Sequence, residues 1–253
     1  MPGVDGPERY RRQMSFGPLG AEGQRRLAAS TVLIVGVGGL GCTLADLLAR
    51  AGVGRLRLAD DDRVSLDNLH RQVLYTEQDA AAGLAKVRAA AARLAAVNSQ
   101  VAIEPLAQRL SSATAAALAD GAHLLLDGSD NFATRFLLND LAVREGKPCV
   151  LAGVRGAEGL VMPVLPGRTA CLRCLLDQPP ADEPSPPVLG PAVAAIAALQ
   201  ALEAIKILAG RLEDVQRGLA KYDFWTGRVQ RLALPGPVPG CACCGQRRFE
   251  FLR

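Results

Sequence analysis

Long apolar runs are missing from this chain of 253 residues: no stretch comes near the roughly 18 uninterrupted apolar residues that a membrane span requires. The first twelve residues are polar, contain Pro and Gly, and show no apolar signal region. Membrane insertion and export are thereby set aside, and a cytoplasmic location is expected. Charge of one sign is not in excess either. Lys and Arg number 29 against 25 Asp and Glu, a net charge of +4 dispersed along the chain, so the concentrated basic face of a nucleic-acid binder is absent. Histidine is reduced to His70 and His123, and both read as hydrogen-bonded structural residues rather than catalysts. No internal repeat occurs and nothing resembling a linker separates two cores, which predicts a single domain over residues 1–253.

What is present is a sizeable core, with 49% hydrophobic residues. Residues 31–35 form a β-branched apolar run of the kind buried on both faces of a parallel sheet. Residues 40–51 then read as a helix ended by Gly52, and 55–59 as a second strand stopping at Asp60. The alternation continues with helices over 86–97, 113–118 and 131–145, and extended segments over 101–103, 123–126 and 148–151. Strands and helices at this spacing imply right-handed βαβ units in an α/β, doubly wound, Rossmann-like sheet that is mostly parallel. After Gly159 the pattern changes. Residues 160–165 and 220–234 read as strands with no helix between neighbours, so an antiparallel C-terminal extension is expected. Residues 192–208 are a nearly uncharged Ala/Leu/Ile helix with Gln200, Glu203 and Lys206 as its polar anchors, hence buried in the core or at a subunit interface. Residues 179–191 carry six prolines with Asp182 and Glu183 and read as a mobile surface loop that covers something. The expected subdivision is an N-terminal arm and helix (1–30), a nucleotide-binding core (31–155) and an extension (156–253).

Gly36, Gly38 and Gly41 satisfy G-x-G-x-x-G, with Gly39 added, between a strand and a helix. The first glycine permits the tight turn, the second lets backbone approach phosphate, and the third lets helix pack on strand. Asp60 ends the next strand where an acidic side chain binds ribose hydroxyls, which favours an adenine nucleotide, either ATP or a dinucleotide. Asp60, Asp61 and Asp62 repel one another, so at least one must find a cation or donor; Asp62 is counted with the nucleotide site and Asp61 with the solvent. Asn68, Arg71 and Gln72 follow just past the strand's carboxyl end, and Lys86 opens the next helix. Two fixed cations, Arg71 and Lys86, near a phosphate-binding turn suit phosphoryl or nucleotidyl transfer. Asp130 ends another strand at the same edge, placed to hold Mg²⁺; Ser129 or Asp130 is also expected to cap the helix that begins near Asn131.

Seven cysteines in a chain without an export signal point to metal or redox chemistry rather than disulfides. Cys171 and Cys174, then Cys241 and Cys244, repeat the C-x-x-C spacing of a closed Cys₄ structural zinc site. The ion would tie the start of the proline loop to the C-terminal tail. Cys243 stands inside the second pair as an extra thiol, and Cys42 and Cys149 sit in apolar surroundings as core residues.

Taken in order, the segments Arg9-Tyr10-Arg11-Arg12-Gln13, Val35 to Gly41, Asp67-Asn68-Leu69-His70-Arg71-Gln72, Ala85-Lys86-Val87, Asp127-Gly128-Ser129-Asp130-Asn131, Cys171-Leu172-Arg173-Cys174, Leu199 to Lys206 and Pro239 to Gly245 resemble the MoeB/ThiF/HesA family of ubiquitin-activating-like adenylyltransferases. The resemblance runs from about Arg9 to Gly245. It implies ATP-dependent, Mg²⁺-assisted adenylation of the C-terminal glycine of a small ubiquitin-like sulfur-carrier protein ending in Gly-Gly, with release of pyrophosphate. The carrier implied is the small subunit of molybdopterin synthase, or next its thiamine counterpart. Carried over by position, Gly39, Asp60, Asn68, Arg71, Lys86, Asp130 and Asn131 would form the nucleotide site, and Arg12 would reach it from the other subunit of a homodimer. The extension would carry the structural zinc and the carrier-binding surface.

The chain departs from the family pattern in three places. No cysteine lies in residues 178–191, so adenylation without a thioester is expected. The chain ends soon after the second thiol pair with no rhodanese-type unit, so sulfur is expected from a separate protein. Asp67 stands where the family usually has a small residue. Three other readings compete: an NAD-dependent oxidoreductase, resting on the glycine turn and Asp60; a zinc-stabilised nucleotide-binding regulator without catalysis; and a tRNA-modifying dehydratase of the same superfamily. Neither nucleic acid nor membrane is expected as a partner.

Overall fold

A computed structural model describes residues 7–181, 186–234 and 236–253. Thr31–Val35 (β1), Arg55–Ala59 (β2), Ala102–Leu106 (β3), Leu124–Asp127 (β4), Cys149–Arg155 (β5), Glu158–Val164 (β6), Leu219–Asp223 (β7) and Arg228–Leu232 (β8) form one eight-stranded sheet in the order β3-β2-β1-β4-β5-β6-β7-β8. The first five strands in that order are parallel and the remaining pairings antiparallel, as the sequence leads one to expect. Strand order runs outward in both directions from the β1/β4 pair, which makes that pair the topological switch point. Open α/β sheets bind ligands in the crevice there.

β1 shows why the sheet is sandwiched. Its alternate residues Val32 and Ile34 enter one core with α3 (Gly39–Ala51), α5 (Lys86–Val97) and α8 (Gly190–Leu208); Leu33 and Val35 enter a second core with α6 (Ala115–Ala119) and α7 (Phe132–Glu145). Both faces are apolar because both are covered. α3 stops where Gly52 turns left-handed, with φ of 81°, and returns its N–H to Leu48 and Ala49. α1 (Pro7–Met14), α2 (Gly20–Ala28) and the short α4 (Glu77–Ala81) complete the molecule, so the N-terminal region holds two helices where one was expected.

The extension corrects the sequence reading twice. Residues 220–234 are not one strand but a hairpin, because Asp223 Oδ1 accepts from the backbone N–H groups of Trp225 and Thr226 and bends the chain back. A helix also intervenes: α8 lies between β6 and β7 along the chain. By length and composition alone this 19-residue helix is also long and apolar enough to cross a membrane, contrary to the first reading of the sequence. It is a core helix instead, packed on α3, β5 and β6, with Ala197, Gln200 and Ala204 buried. Residues 182–185 of the proline-rich segment, including Asp182 and Glu183, and residues 1–6 lie outside the described residues.

Candidate functional site

Three chain segments meet at the carboxyl edge of the sheet beside the switch point. The first is the glycine turn after β1. Gly36 takes φ of +85°, and a Cβ on Gly41 would fall 1.9 Å from the Gly36 carbonyl oxygen, so the first turn of α3 sits directly on the turn. Gly39 is crowded differently, its missing Cβ lying 2.8 Å from Val193 Cγ1 and 3.5 Å from Arg71 Cγ. At Gly38, by contrast, only Gln72 Nε2 comes near, at 3.7 Å. Open space at the helix N-terminus is what a phosphate group requires.

The second segment carries the charge. Asp60 closes β2 onto the turn, its Oδ2 accepting from the Val37 N–H at 2.6 Å and its Oδ1 from the Asp62 N–H at 2.8 Å. Burial holds the Asp60 carboxyl above the usual carboxylate range, opposed by the Val37 N–H and by Lys86. The repulsion among the three aspartates is relieved at Asp62, which pairs with Lys86 Nζ at 2.7 Å while Asp61 stays exposed. Lys86 is itself buried to 6% exposure and opens α5, so its ammonium is fixed in place. Asn68 and Gln72 are buried as well, and the Asn68 Oδ1 and Gln72 Oε1 atoms have no partner among the described residues. Unpaired buried acceptors are costly, which marks this pocket as built for donors supplied by a ligand. Arg71 lies half-exposed over Gly39, donating from Nη1 to the Asp67 carbonyl at 3.0 Å and lying 2.7 Å from His70 Nε2.

The third segment follows β4. Asn131, not Ser129 or Asp130, caps α7, its side chain accepting from the Thr134 N–H at 2.8 Å. Ser129 is unavailable because its N–H and hydroxyl both donate to Asp127 Oδ1, at 3.0 and 2.6 Å. Asp130 is left exposed at the edge, touching only Asn131 Nδ2 at 3.3 Å among the contacts described. An exposed carboxylate with oxygen lone pairs to spare has the donor chemistry of a hard cation such as Mg²⁺. Sequence reasoning overlooked what holds this segment: Arg135 Nε donates to Asp127 Oδ2 at 2.6 Å, and Gln200 Nε2 donates to the carbonyls of Asp127 and Val150 at 2.9 and 2.8 Å. The available signal was a lone amide in an otherwise apolar stretch of helix.

Arg12 is not part of this crevice in its own chain. Tyr10 of α1 packs against Gly52 and receives a hydrogen bond from Asn98 Nδ2 at 2.8 Å, while Gln13 donates to the Ala51 carbonyl at 2.9 Å. These contacts fix α1 at the C-terminal ends of α3 and α5, a full helix length of roughly 20 Å from the glycine turn. His123 is structural as expected, its Nδ1 accepting from the Thr31 N–H at 2.9 Å.

The two cysteine pairs, 70 residues apart in the chain, converge. Cys171 Sγ lies 3.9 Å from Cys174 and 3.7 Å from Cys241, and Cys174 lies 3.4 Å from Cys244. A tetrahedral ion with thiolate bonds of about 2.3 Å separates its ligands by about 3.8 Å, so the donor set and spacing fit zinc. Cys243 is fully buried beside this group, its thiol hydrogen-bonded with Cys171 and Asp140 and 3.5 Å from Asn139 Nδ2. Cys42 and Cys149 are core residues, and burial pushes the Cys42 thiol up to about 12.

Comparison with known proteins follows the same outline. The model of the ThiF family matches residues 10–243. The chain belongs to the ThiF family. Among its relatives, the adenylyltransferase and sulfurtransferase MOCS3 of Sus scrofa is 45% identical over 94% of this chain, which spans 53% of that protein. The sulfur carrier protein ThiS adenylyltransferase of Bacillus subtilis is 38% identical, covering 96% of this chain and 73% of its own length. The sulfur carrier protein adenylyltransferase of Thermus thermophilus is 39% identical, covering 94% and 90%. This ThiF-family chain thus spans about half the length of the MOCS3 relatives it matches. In fold it is similar to E. coli MccB solved with MccA, with a TM-score of 0.84, 24% identity, and coverage of 95% of this chain and 75% of that one.

Proposed function

We propose that this ThiF-family chain adenylates the C-terminal glycine of a small ubiquitin-like sulfur-carrier protein, preparing it for thiocarboxylate formation. The observation that carries this reading is the gathering at the switch-point edge of the open helix N-terminus at Gly38, Arg71 over Gly39, and the buried Lys86 beside Asp60 and Asp62. The carrier's terminal carboxylate is ionised at neutral pH and needs no general base. Its oxygen bonds to the α-phosphorus of ATP as the bond to the bridging oxygen breaks, and pyrophosphate leaves with the electron pair. The burden on the protein is charge and geometry. Arg71 and Lys86 neutralise the triphosphate so that a second anion can approach it, Asp60 takes the ribose hydroxyls, and Asn68 and Asn131 complete the nucleotide pocket with Gly36, Gly38, Gly39 and Gly41. Asp62 acts through Lys86, holding its ammonium in register. A magnesium ion held by Asp130 would supply further positive charge among the phosphate oxygens.

Three further parts belong to the proposal. Cys171, Cys174, Cys241 and Cys244 hold a structural zinc ion that joins the segment before α8 to the C-terminal tail. The molecule acts as a homodimer in which Arg12 serves the partner's site, a reading supported by the placement of α1 at the edge remote from its own crevice. The carrier docks on the antiparallel extension, where Trp225, Val229 and Leu232 of the β7–β8 hairpin are 81%, 56% and 51% exposed. A reducing, cytoplasmic compartment suits the seven unpaired thiols. The relatives quoted above are named adenylyltransferases, which favours this reading over the NAD-dependent alternative that rests on the glycine turn and Asp60.

The test is to mix the purified chain with ATP, Mg²⁺ and either the molybdopterin-type or the thiamine-type carrier, then record intact mass. An acyl-adenylate on one carrier is the expected product, with the molybdopterin type favoured; no mass increment on either carrier refutes the reading.

A further inference from the structure

The hydrogen-bonded core beneath the crevice does more than fill space. The turn after β4 is pressed against the glycine turn so closely that a Cβ on Gly128 would lie 2.3 Å from the Gly36 carbonyl oxygen. The two turns therefore move as one body, and whatever sets the β4 turn sets the phosphate-binding turn too. Five side-chain bonds set it. Asp127, with 0% exposure, accepts from Ser129 N–H and hydroxyl on one oxygen and from Arg135 on the other. Its carbonyl, and that of Val150 on β5, accept the two amide hydrogens of Gln200, which is also fully buried and comes from α8. The same helix begins against the remaining segment: a Cβ on Gly190 would lie 2.5 Å from the His70 carbonyl oxygen, and Val193 fills the space beside Gly39. α8 thus touches all three segments of the crevice.

The choice of residues is informative. A buried Asp–Arg pair is weak as a source of stability, since apolar residues of like volume serve as well or better. Among the described residues the Gln200 Oε1 atom has no partner, an additional cost. A purely structural core would be expected to avoid both. Directional bonds that fix a backbone turn to within a few tenths of an ångström are useful where reacting groups must be aligned, because a misplacement of about 1 Å costs on the order of 10²-fold in rate.

We infer that Gln200 and the Arg135–Asp127 pair are positioning residues for adenylyl transfer: they touch neither ATP nor carrier, and they hold the Gly128–Asn131 turn and the glycine turn in the register that places Asp130 and Asn131 against the phosphates. The inference rests on the adenylation reading above. Its test uses the full chain carrying Gln200→Met or Arg135→Lys, two variants that keep volume or charge, with Arg135→Met as the severe case. Melting temperature, ATP·Mg affinity by calorimetry, and kcat and KM for carrier-dependent pyrophosphate exchange are measured at least 20 °C below each variant's melting point. The expected result is a fall in kcat of about 10- to 100-fold with KM for ATP within about threefold of wild type, and partial recovery of kcat in Arg135→Lys relative to Arg135→Met. If Arg135→Met does not fold, the other two variants decide. Folded Gln200→Met and Arg135→Lys proteins with kcat within twofold of wild type overturn the inference, as does a rise in KM at unchanged kcat. A wild-type chain that exchanges no pyrophosphate sinks the adenylation reading itself, and is told apart by that control.

Discussion

Arg71 is the residue on which the chemistry leans and on which the fold does not. It is half-exposed, its stem lies over Gly39, and among the described residues its guanidinium bonds to a neighbouring carbonyl and to His70. Arg71→Ala is expected to leave the melting temperature within about 2 °C of wild type, as for surface changes generally, while abolishing carrier-dependent exchange; exchange near the wild-type rate would contradict its role. Asp60 makes the opposite case, a residue used by both fold and ligand. Burial raises its folded-state pKa above the ordinary 3.8, so the folded chain holds that proton where the unfolded chain has lost it. The associated increment of stability is fully present below 3.8 and is lost as pH rises through the raised folded value. Ribose binding needs the ionised form and runs the other way. ATP affinity is therefore expected to weaken as pH falls through a window lying above 3.8, with Asp60→Asn flattening the dependence; an unchanged profile in that variant would show that another group titrates. Asp60 was legible in the sequence because it follows the end of β2 at a break in apolar pattern, and Arg71 because it belongs to the polar segment just beyond. The roles of Gln200 and Arg135 were not, since neither a bond to remote backbone nor a buried bond to the Asp127 carboxylate leaves a periodic trace.

At the scale of elements, the parallel half was readable because its strands are short apolar runs between glycines and aspartates, and its helices stop at glycines such as Gly52 and Gly146 in the left-handed conformation. The extension was harder. The bend at Asp223 depends on its carboxylate accepting from two backbone N–H groups, which strand propensity over 220–234 hides. The cap of α7 was misassigned by two competing local bonds: Ser129 is drawn back to Asp127, leaving Asn131 to serve α7. The thiol pairs form an element of their own, each held in a tight turn by the Cys174 N–H to Cys171 carbonyl bond at 3.0 Å and the Gly245 N–H to Cys241 carbonyl bond at 3.1 Å. Metal analysis is expected to return one zinc per chain in wild type and in Cys243→Ser, and substoichiometric zinc in Cys174→Ser. Chelation should lower the melting temperature of the first two proteins and leave Cys174→Ser unaffected. Full zinc occupancy in Cys174→Ser would refute the four-thiol assignment.

The whole molecule poses the question of how many chains make one site. α1 is anchored at the ends of α3 and α5 by Tyr10 and Gln13, so Arg12 of a given chain is a helix length from its own glycine turn. If Arg12 takes part in the reaction, it does so in another subunit. Arg12→Ala and Arg71→Ala proteins, each inactive alone, are expected to regain about a quarter of wild-type exchange when mixed and allowed to re-pair, because half the dimers are mixed and each of those holds one intact site. No recovery on mixing would rule out service to the partner's site, and an active Arg12→Ala protein would place Arg12 outside the reaction. The central claim, that the switch-point crevice activates a polypeptide carboxylate with ATP, is tested most directly by exchange of labelled pyrophosphate into ATP with and without the purified carrier, in wild type and Asp130→Ala. The account predicts label in ATP only when wild-type protein, Mg²⁺ and a carrier with an intact C-terminal glycine are all present. Exchange that proceeds without the carrier, or that survives in Asp130→Ala at the wild-type rate, would contradict it.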